Sequence, residues 1–211
     1  MEELLDIHTH RPEQDAVTGI YNCGITYTPD RAVSVGIHPW NITHEWEETF
    51  RTIETAATAP NVVAIGECGI DKIKSSVDIE TQKKAFYAHV LLSERVCKPL
   101  IIHCVKAFDE IIAIRKESSP SQAWIIHGFR GKPQQALQLV GNGFRISLGE
   151  HFNPESAKAI PMERLFIESD ESTLHISEIY SAVAAAKGVP VEDFANKIKE
   201  NSRIFGQYFT F

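Results

Sequence analysis

The stretch Leu4-Leu5-Asp6-Ile7-His8-Thr9-His10 decides how the rest of the chain is interpreted. It is a short apolar run that ends in two histidines one residue apart, which is typical of a β-strand with a polar end. Side chains at alternate positions of a strand share a face, so Asp6, His8 and His10 are predicted to point the same way. Two imidazoles on one face suit a metal site, although paired histidines also occur as hydrogen-bonded core residues. The pair alone leaves both interpretations open.

Four further apolar runs end in the same way, each closed by a residue that can bind a metal ion. They occupy residues 64–67, 100–103, 124–127 and 165–170. If the strands are parallel, their C-terminal ends meet at one edge, where barrel enzymes and open α/β sheets place their active sites. The repetition therefore favours a metal site over a chance pair of core histidines.

The composition of the 211-residue chain is that of an ordinary globular protein, with 43% hydrophobic and 23% charged residues. This length predicts one domain over residues 1–211. The net charge of −7 does not suit a protein that binds many nucleic-acid phosphates, but it is compatible with a small phosphorylated substrate. No signal peptide or membrane-length apolar run is found, so we expect a cytoplasmic protein without membrane contact. The four cysteines form no C-x-x-C pair, and Cys68 and Cys104 are expected to be packing residues because strand alternation turns them away from Glu67 and His103.

Eight short apolar strands alternate with amphipathic segments along the chain. The strands are predicted near residues 4–10, 19–25, 32–38, 62–66, 99–104, 123–129, 143–148 and 164–168. The first helix is predicted between an N-cap at Thr43 and Pro60, the second from an N-cap at Asp78 up to 96, and the third from about 108 to before Pro120. Further helices are predicted over 133–140, 155–159, 176–187 and 191–201. This alternation predicts an α/β fold, a TIM-type (β/α)8 barrel. The first two connections between strands are short, so the first two helices are expected to be shortened or missing. The outer surface of the barrel around the first three strands would then be covered by the C-terminal helices or by a second copy of the chain in a homo-oligomer.

The residues at the strand ends form a set of four imidazoles and two carboxylates that suits one or two divalent cations, Zn, Mn or Mg. The predicted ligands are His8, His10, Glu67, His103, His127 and Asp170. Glu67 is the candidate to bridge two ions, and Asp170 is predicted both to bind a metal and to take a proton from the metal-activated water, so both are assigned catalytic roles. Asp6 and Glu168 have the inward phase and are predicted to orient histidines from behind the ligands.

Cationic residues follow several of these strand ends. Lys72, Lys106 and Arg130, together with Lys74 and Lys132, favour a substrate with a phosphate or carboxylate group, although lysines are common in loops in any case. His38 is predicted to contact the substrate or to cap its own strand. The remaining histidines are expected to be surface or packing residues, namely His44, His89, His151 and His175.

Several motifs along the chain resemble those of the TatD family of metal-dependent hydrolases, within the wider amidohydrolase-like superfamily. Asp6-Ile7-His8-Thr9-His10 is similar to the opening Asp-x-His-x-His of that family, Val35-Gly36-Ile37-His38-Pro39 to its Gly-x-His-Pro, and Ile65-Gly66-Glu67-Cys68-Gly69-Ile70-Asp71 to its Gly-Glu-x-Gly-Leu-Asp. His103, the His-x-Phe-x-Gly at 127–131, the Glu-x-Asp at 168–170 and residues 201–205 follow in the same order. The resemblance implies a TIM-type barrel, divalent metals at the six ligands above and phosphodiester hydrolysis.

This chain departs from the family pattern in three places. Val105 and Lys106 stand where the family usually has an arginine two residues after the strand-five histidine, and no proline follows two residues after Asp170. The segment between His10 and Ala32 is shorter than in typical members. These differences leave the predicted ligands intact and bear on how long a nucleic acid the site accepts.

The sequence thus predicts a hydrolase of phosphoester bonds that uses metal-activated water, with nucleotides, other small phosphorylated compounds or DNA 3′ ends as substrates. One alternative is an amide or ester hydrolase of the amidohydrolase type. Related amidohydrolases commonly place a modified lysine where this chain has Glu67, which disfavours that alternative. Another alternative is a catalytically idle barrel that binds a metal or a partner.

Overall fold

The computed structural model describes residues 4–11, 18–25 and 31–209, except for the side chain of Gln207. Its strands are β1 (Leu5–Thr9), β2 (Thr18–Gly24), β3 (Val33–Val35), β4 (Val62–Asp71), β5 (Leu100–Val105), β6 (Trp124–Ile126), β7 (Arg145–Leu148) and β8 (Leu165–Ile167). They follow chain order in one sheet, and the described pairs are parallel. Thr9, at the end of β1, also bridges in parallel to Asp170, just after β8. This topology confirms the predicted (β/α)8 fold class.

Helices follow every strand from β3 onward. They are α1 (Trp46–Ala56), α2 (Ile79–Val96), α3 (Phe108–Ser118), α4 (Pro133–Gly141), α5 (Pro154–Ala159), α6 (Ile176–Lys187) and α7 (Val191–Asn201), with 3-10 turns at Pro39–Asn41, Met162–Arg164 and Ser202–Tyr208. The predicted shortening of the first two helices falls on connections that include residues 12–17 and 26–30, so it lies outside the described residues. Among the helices of the described chain, none is long and apolar enough to span a membrane.

The chain packs as two compact units, one formed by Met1–Tyr21 with Ile126–Phe211 and the other by Asn22–Ile125. We call them the terminal unit and the central unit. Each contains strands with the helices that cover them, and each has buried aromatic residues at its centre. The assignment of residues 1–211 to one domain stays a prediction.

The terminal unit is held together by polar contacts inside an apolar core. Tyr180 of α6 is buried, and its hydroxyl donates a hydrogen bond of 2.8 Å to the carbonyl oxygen of Leu5 in β1. Its ring packs against Phe194 of α7, with 5.7 Å between the centroids. The amide of Asn201 donates to the carbonyl oxygens of Met162 and Leu165, at 2.7 and 2.9 Å. These contacts fix the ends of β1 and β8 relative to the C-terminal helices, because buried backbone carbonyls need partners.

The central unit is organised around β4, in which all ten residues are buried. The sequence predicts a strand over 62–66 that closes on Glu67 and continues into residues 68–71, and in the structure β4 runs to Asp71 through its pairing with β5. Gly66 lies in the strand interior with φ +145°, and a Cβ there would lie 2.5 Å from the carbonyl oxygen of Ile101. Only glycine allows that close approach of the two backbones. Glu67 therefore lies inside a strand rather than at its end.

Two predicted helix starts in the central unit differ in outcome. Asp78 is the N-cap of α2, and its carboxylate accepts a 2.9 Å hydrogen bond from the backbone N–H of Thr81. The prediction that Thr43 caps α1 was wrong, since that helix begins at Trp46. The Thr43 hydroxyl instead accepts from the backbone N–H of Glu45 at 3.2 Å. A threonine hydroxyl that accepts a hydrogen bond from a backbone N–H of its own loop is not available to cap a helix.

Candidate metal centres

Three predicted ligands meet in the terminal unit at the ends of β1 and β8. The Nε2 atoms of His8 and His10 lie 3.8 and 3.5 Å from Oδ1 of Asp170. The backbone sets this arrangement, because the Asp170 N–H donates to the His8 carbonyl at 2.9 Å and the His10 N–H donates to the Asp170 carbonyl at 3.1 Å. Asp170 has φ +54°, a conformation that aspartate tolerates better than most residues. We call these three residues the His8 cluster.

The separations in the His8 cluster fit a shared cation. Zn²⁺ holds nitrogen and oxygen ligands at about 2.0–2.2 Å in a tetrahedron, which places the ligand atoms about 3.3–3.6 Å from each other. The two nitrogen–oxygen separations are close to that edge length and too long for strong hydrogen bonds. Imidazole and carboxylate are also the donors that Zn²⁺ and similar divalent ions accept. The residues present therefore fit a divalent metal.

His127 and Glu168 lie beside this cluster in the same unit. Nδ1 of His127 is 3.3 Å from Oε1 of Glu168, and the ring centroids of His127 and His8 are 4.5 Å apart. The same oxygen of Glu168 accepts a 2.6 Å hydrogen bond from the backbone N–H of Gly128. Burial raises the pKa of Glu168, but the adjacent imidazoles of His127 and His8 outweigh this effect and keep the pKa below its ordinary value. Glu168 thus stays ionised against one nitrogen of His127, a position that suits the predicted orienting role.

Asp6 is buried behind the His8 cluster. Its carboxylate accepts hydrogen bonds from the hydroxyl and the backbone N–H of Ser169, at 2.5 and 3.0 Å, and from the backbone N–H of His8 at 3.2 Å. Burial raises the pKa of Asp6 to about 7, although these hydrogen bonds act in the opposite direction. Asp6 therefore ties β1 to the turn between Glu168 and Asp170, which is the segment that carries the ligands of β8.

A second group lies in the central unit and contains His38, Glu67 and His103. Oε1 of Glu67 is 3.1 Å from Nε2 of His38 and 2.8 Å from Nδ1 of His103, and these two nitrogens are 3.2 Å apart. We call this the Glu67 cluster. Its three donor atoms lie close enough together to hold one metal ion. His38, predicted as a substrate contact or a strand cap, shares this group and also accepts a 3.1 Å hydrogen bond from the backbone N–H of Trp40.

Three residues of the central unit that were not predicted as site residues support the Glu67 cluster. Asn22 donates to Oε2 of Glu67 at 3.1 Å. Asp71 accepts a 2.6 Å hydrogen bond from the indole of Trp40 and lies 3.2 Å from Nε2 of His103. Asp71 could have been found, since it has the same strand phase as Glu67 once β4 is extended. Asn22 and Trp40 carry no comparable sequence signal.

The carboxylate of Asp71 is kept ionised by several hydrogen bonds. Its oxygens accept from the Trp40 indole, from the backbone N–H groups of Ile73 and Lys74, and from the side chain of His103. Burial raises the pKa of Asp71, but these hydrogen bonds outweigh it and lower the pKa to about 2. A fixed negative charge beside Nε2 of His103 favours a proton on that nitrogen, which leaves Nδ1 to face Glu67 and a cation.

The predicted cationic residues occupy different environments. Lys72 forms an ion pair with Glu110, so its charge is compensated. Lys106 is exposed directly after β5 and has φ +55°. Arg130 lines a cleft of about 340 Å³ in the terminal unit, together with Glu168 and Asp170. Arg130 is thus a predicted substrate-binding cation that lines the same cleft as the predicted metal ligand Asp170.

Two histidines expected to be surface or packing residues have more specific places. His151 lines the same cleft as Arg130. His89 is buried in α2, where Nε2 accepts a 3.0 Å hydrogen bond from the backbone N–H of Ile37 and Nδ1 lies 2.8 Å from the carbonyl oxygen of Ala85. Burial lowers the pKa of His89 to about 4. A neutral His89 thus fixes the backbone immediately before His38.

The predicted ligands are divided between the two units. His8, His10, His127 and Asp170 belong to the terminal unit, whereas Glu67 and His103 belong to the central unit. Within each unit the structure brings the predicted ligands together. That all six serve one shared centre stays a prediction.

Comparisons with known proteins identify the family of this chain. Residues 12–206 match the model of a family described as TatD related DNase. The 3′-5′ ssDNA/RNA exonuclease TatD of Erwinia amylovora is 28% identical over an alignment that covers 82% of this chain and 77% of the relative. The uncharacterized metal-dependent hydrolase YabD of Bacillus subtilis is 27% identical over 81% of this chain and 75% of its own length.

Solved structures show the same fold at lower identity. The TatD homologue YJJV of Escherichia coli superimposes with a TM-score of 0.82 at 19% identity, over 96% of this chain and 97% of that chain. A hydrolase TatD family protein of Entamoeba histolytica superimposes with a TM-score of 0.77 at 17% identity, over 97% and 98% of the two chains. These likenesses cover nearly the whole chain.

Proposed function

The chain belongs to the TatD-related DNase family and is a metal-dependent hydrolase, and from this premise we propose that it removes nucleotides from the 3′ ends of single-stranded DNA or RNA. The observation that carries the proposal is the His8 cluster, in which two imidazole nitrogens and a carboxylate oxygen are spaced as ligands of one cation. The relatives named as exonucleases support the substrate class. The acidic net charge favours contact with a strand end over contact with a long stretch of phosphates.

The residues of each cluster have distinct proposed roles. His8, His10 and Asp170 would hold one divalent ion, and Glu67, His103 and His38 offer donors for a second. A bound Zn²⁺, Mn²⁺ or Mg²⁺ supplies Lewis acidity toward the phosphate oxygens and makes water more acidic. His127, held by Glu168, adds a further imidazole beside His8. One or two ions are compatible with these donors.

The chain's own groups bind the phosphate and accept the proton. Arg130 in the cleft beside Asp170 pairs with the non-bridging oxygens of the scissile phosphate. The carboxylate of Asp170 accepts a proton from the attacking water. The new P–O bond forms as the bond to the 3′ oxygen of the shortened strand breaks, and that oxygen leaves as a hydroxyl after it takes up a proton. The products are a 5′-mononucleotide and a strand one residue shorter.

The proposal is tested with 5′-labelled single-stranded oligonucleotides whose 3′ end is free or blocked. Protein stripped with EDTA should be inactive, and Mn²⁺, Mg²⁺ or Zn²⁺ should restore a ladder of shortened products from the free end only. Asp170→Asn should lower kcat by about 100-fold or more. Asp193→Asn, the same change at an exposed position in the first turn of α7, should not.

Other outcomes of the same assay point to the alternatives. Turnover of a chromogenic carboxyl ester without release of nucleotides would support an amide or ester hydrolase. Metal binding without turnover of any oligonucleotide, phosphomonoester or carboxyl ester would support an idle metal-binding barrel. Internal cleavage of the blocked oligonucleotide would contradict the exonuclease assignment but not hydrolysis of phosphodiesters.

A further inference from the structure

Trp40 presents an exposed indole beside the Glu67 cluster. It lies in the 3-10 turn Pro39–Asn41, and 44% of the residue is exposed to solvent. The other two tryptophans, Trp46 and Trp124, are buried. Tryptophan side chains are usually well buried and are enriched at binding surfaces, so the exposed ring of Trp40 indicates a role other than core packing.

A hydrogen bond to a buried carboxylate holds the ring of Trp40 in one orientation. Its indole N–H donates a 2.6 Å hydrogen bond to the carboxylate of Asp71, which is 1% exposed. The other oxygen of Asp71 accepts from the backbone N–H groups of Ile73 and Lys74, at 2.7 and 3.0 Å. The hydroxyl of Ser75 donates to the carbonyl of Pro39 at 3.0 Å, which ties the same loop to the turn of Trp40. A ring fixed in advance loses little freedom when a ligand stacks on it.

The ring also has the right neighbours for a nucleotide. Its centroid lies 4.5 Å from that of His38 and 5.8 Å from that of His103, two members of the Glu67 cluster. The ammonium of Lys74 lies over the ring, 4.3 Å from its centroid. An aromatic face on which a base can stack and a cation that can pair with the backbone are the two elements that proteins combine to bind single-stranded nucleic acid.

We propose that Trp40 is a stacking platform for a nucleobase of the bound single strand, beside the Glu67 cluster, and that Lys74 pairs with the phosphate of the same nucleotide. This proposal rests on the proposed function and adds a binding subsite to it. When the base stacks on the indole, it takes the place of the ammonium, and the flexible side chain of Lys74 turns to the phosphate. The subsite selects for strands that carry bases without selecting among bases, because every base offers a π face.

Binding to metal-free protein separates this subsite from catalysis. Anisotropy of a 5′-labelled single-stranded oligonucleotide is measured in EDTA for two ligands, one with normal bases and one with abasic residues at its 3′ end. The wild type should bind the normal strand at least about fivefold more tightly. Trp40→Ala should remove that preference by weakening only the normal strand, and Trp40→Phe should keep most of it.

Two further variants test the charge and the specificity of the effect. Lys74→Gln should weaken both ligands alike and reduce the slope of log K against log[salt] by about 0.7. Leu91→Ala, which removes another exposed apolar side chain, in helix α2, should change neither ligand. In steady-state assays with Mn²⁺, Trp40→Ala should raise KM for the normal strand and leave KM for the abasic strand unchanged.

The results distinguish failure of the subsite from failure of the function. If the wild type shortens oligonucleotides but binds the abasic strand as tightly as the normal one, the stacking platform is refuted and the exonuclease proposal stands. If no oligonucleotide binds or is cleaved, both proposals fall. The comparison of ligands in the wild type decides the matter even if Trp40→Ala misfolds, and Trp40→Phe provides a second, more conservative variant.

Discussion

Acidification should destabilise this protein through one buried histidine. His89 is 1% exposed in α2, and burial lowers its pKa to about 4 from the ordinary value of 6.5. Its Nε2 accepts the backbone N–H of Ile37, which requires the neutral ring. In the unfolded chain the imidazole takes up a proton as the pH falls below 6.5, whereas in the folded chain it does not. The contribution of neutral His89 to the free energy of unfolding is therefore present above pH 6.5 and is lost as the pH falls toward 4.

The size of the loss follows from the two pKa values. Proton uptake by His89 in the unfolded chain lowers the free energy of unfolding by about 2 kcal/mol at pH 5 and about 3 kcal/mol at pH 4. The same effect is about 0.2 kcal/mol at pH 7. His89→Gln keeps a polar group at the site but cannot be protonated. The variant should be less stable than the wild type at pH 7.5, because its hydrogen bond to Ile37 is poorer, and the difference should shrink by about 2 kcal/mol by pH 5.

Urea unfolding followed by tryptophan fluorescence, in EDTA at pH 7.5, 6.5, 5.5 and 5.0, gives the required free energies. Comparing variants at each pH cancels the contributions of carboxylates and of other histidines. His44→Gln, at an exposed position, is the matched control and should show no such trend. A difference between wild type and His89→Gln that is constant over this pH range would refute the reasoning.

Further predictions concern metal binding, packing and substrate contact. Mn²⁺ at 100 times its dissociation constant should stabilise the EDTA-treated protein by about 2.7 kcal/mol in thermal or urea unfolding, and a shift that survives in His8→Ala would contradict binding at the His8 cluster. Tyr180→Phe should cost about 1 kcal/mol by removing the buried bond to Leu5, and Asn201→Ala about 1–3 kcal/mol by leaving two carbonyls without their donor. Arg130→Gln should raise KM for oligonucleotides severalfold with an unchanged fold by circular dichroism, and an unchanged KM would remove Arg130 from the phosphate site.

Local signals in the sequence were sufficient for several elements. The bounds of α6 and α7 agree with the predicted 176–187 and 191–201, because Gly188 adopts φ +70° as the C-cap of one helix and Pro190 precedes the other. The start of α2 follows from Asp78 in the same way. Apolar runs closed by metal-binding residues also predicted the strand order of the fold, since parallel strands joined by helices leave few topologies.

Other features depend on contacts that local patterns do not contain. Glycines at 66 and 69 break the apolar pattern of β4, and Asp71 was not predicted as a site residue. Asn22 reaches Glu67 across 45 positions of sequence. The hydrogen bond between Trp40 and Asp71 joins a turn to a strand end, and neither residue shows this by its spacing. Long-range polar contacts of this kind require the packed structure.

The central claim is that these imidazoles and carboxylates bind catalytic divalent ions. Anomalous diffraction from crystals grown with Mn²⁺ tests it most directly, because the signal locates the ions independently of the refined side chains. The account predicts a peak within about 2.0–2.3 Å of Nε2 of His8, Nε2 of His10 and a carboxylate oxygen of Asp170. Anomalous peaks found only at other positions, or none above noise at a saturating Mn²⁺ concentration, would contradict it.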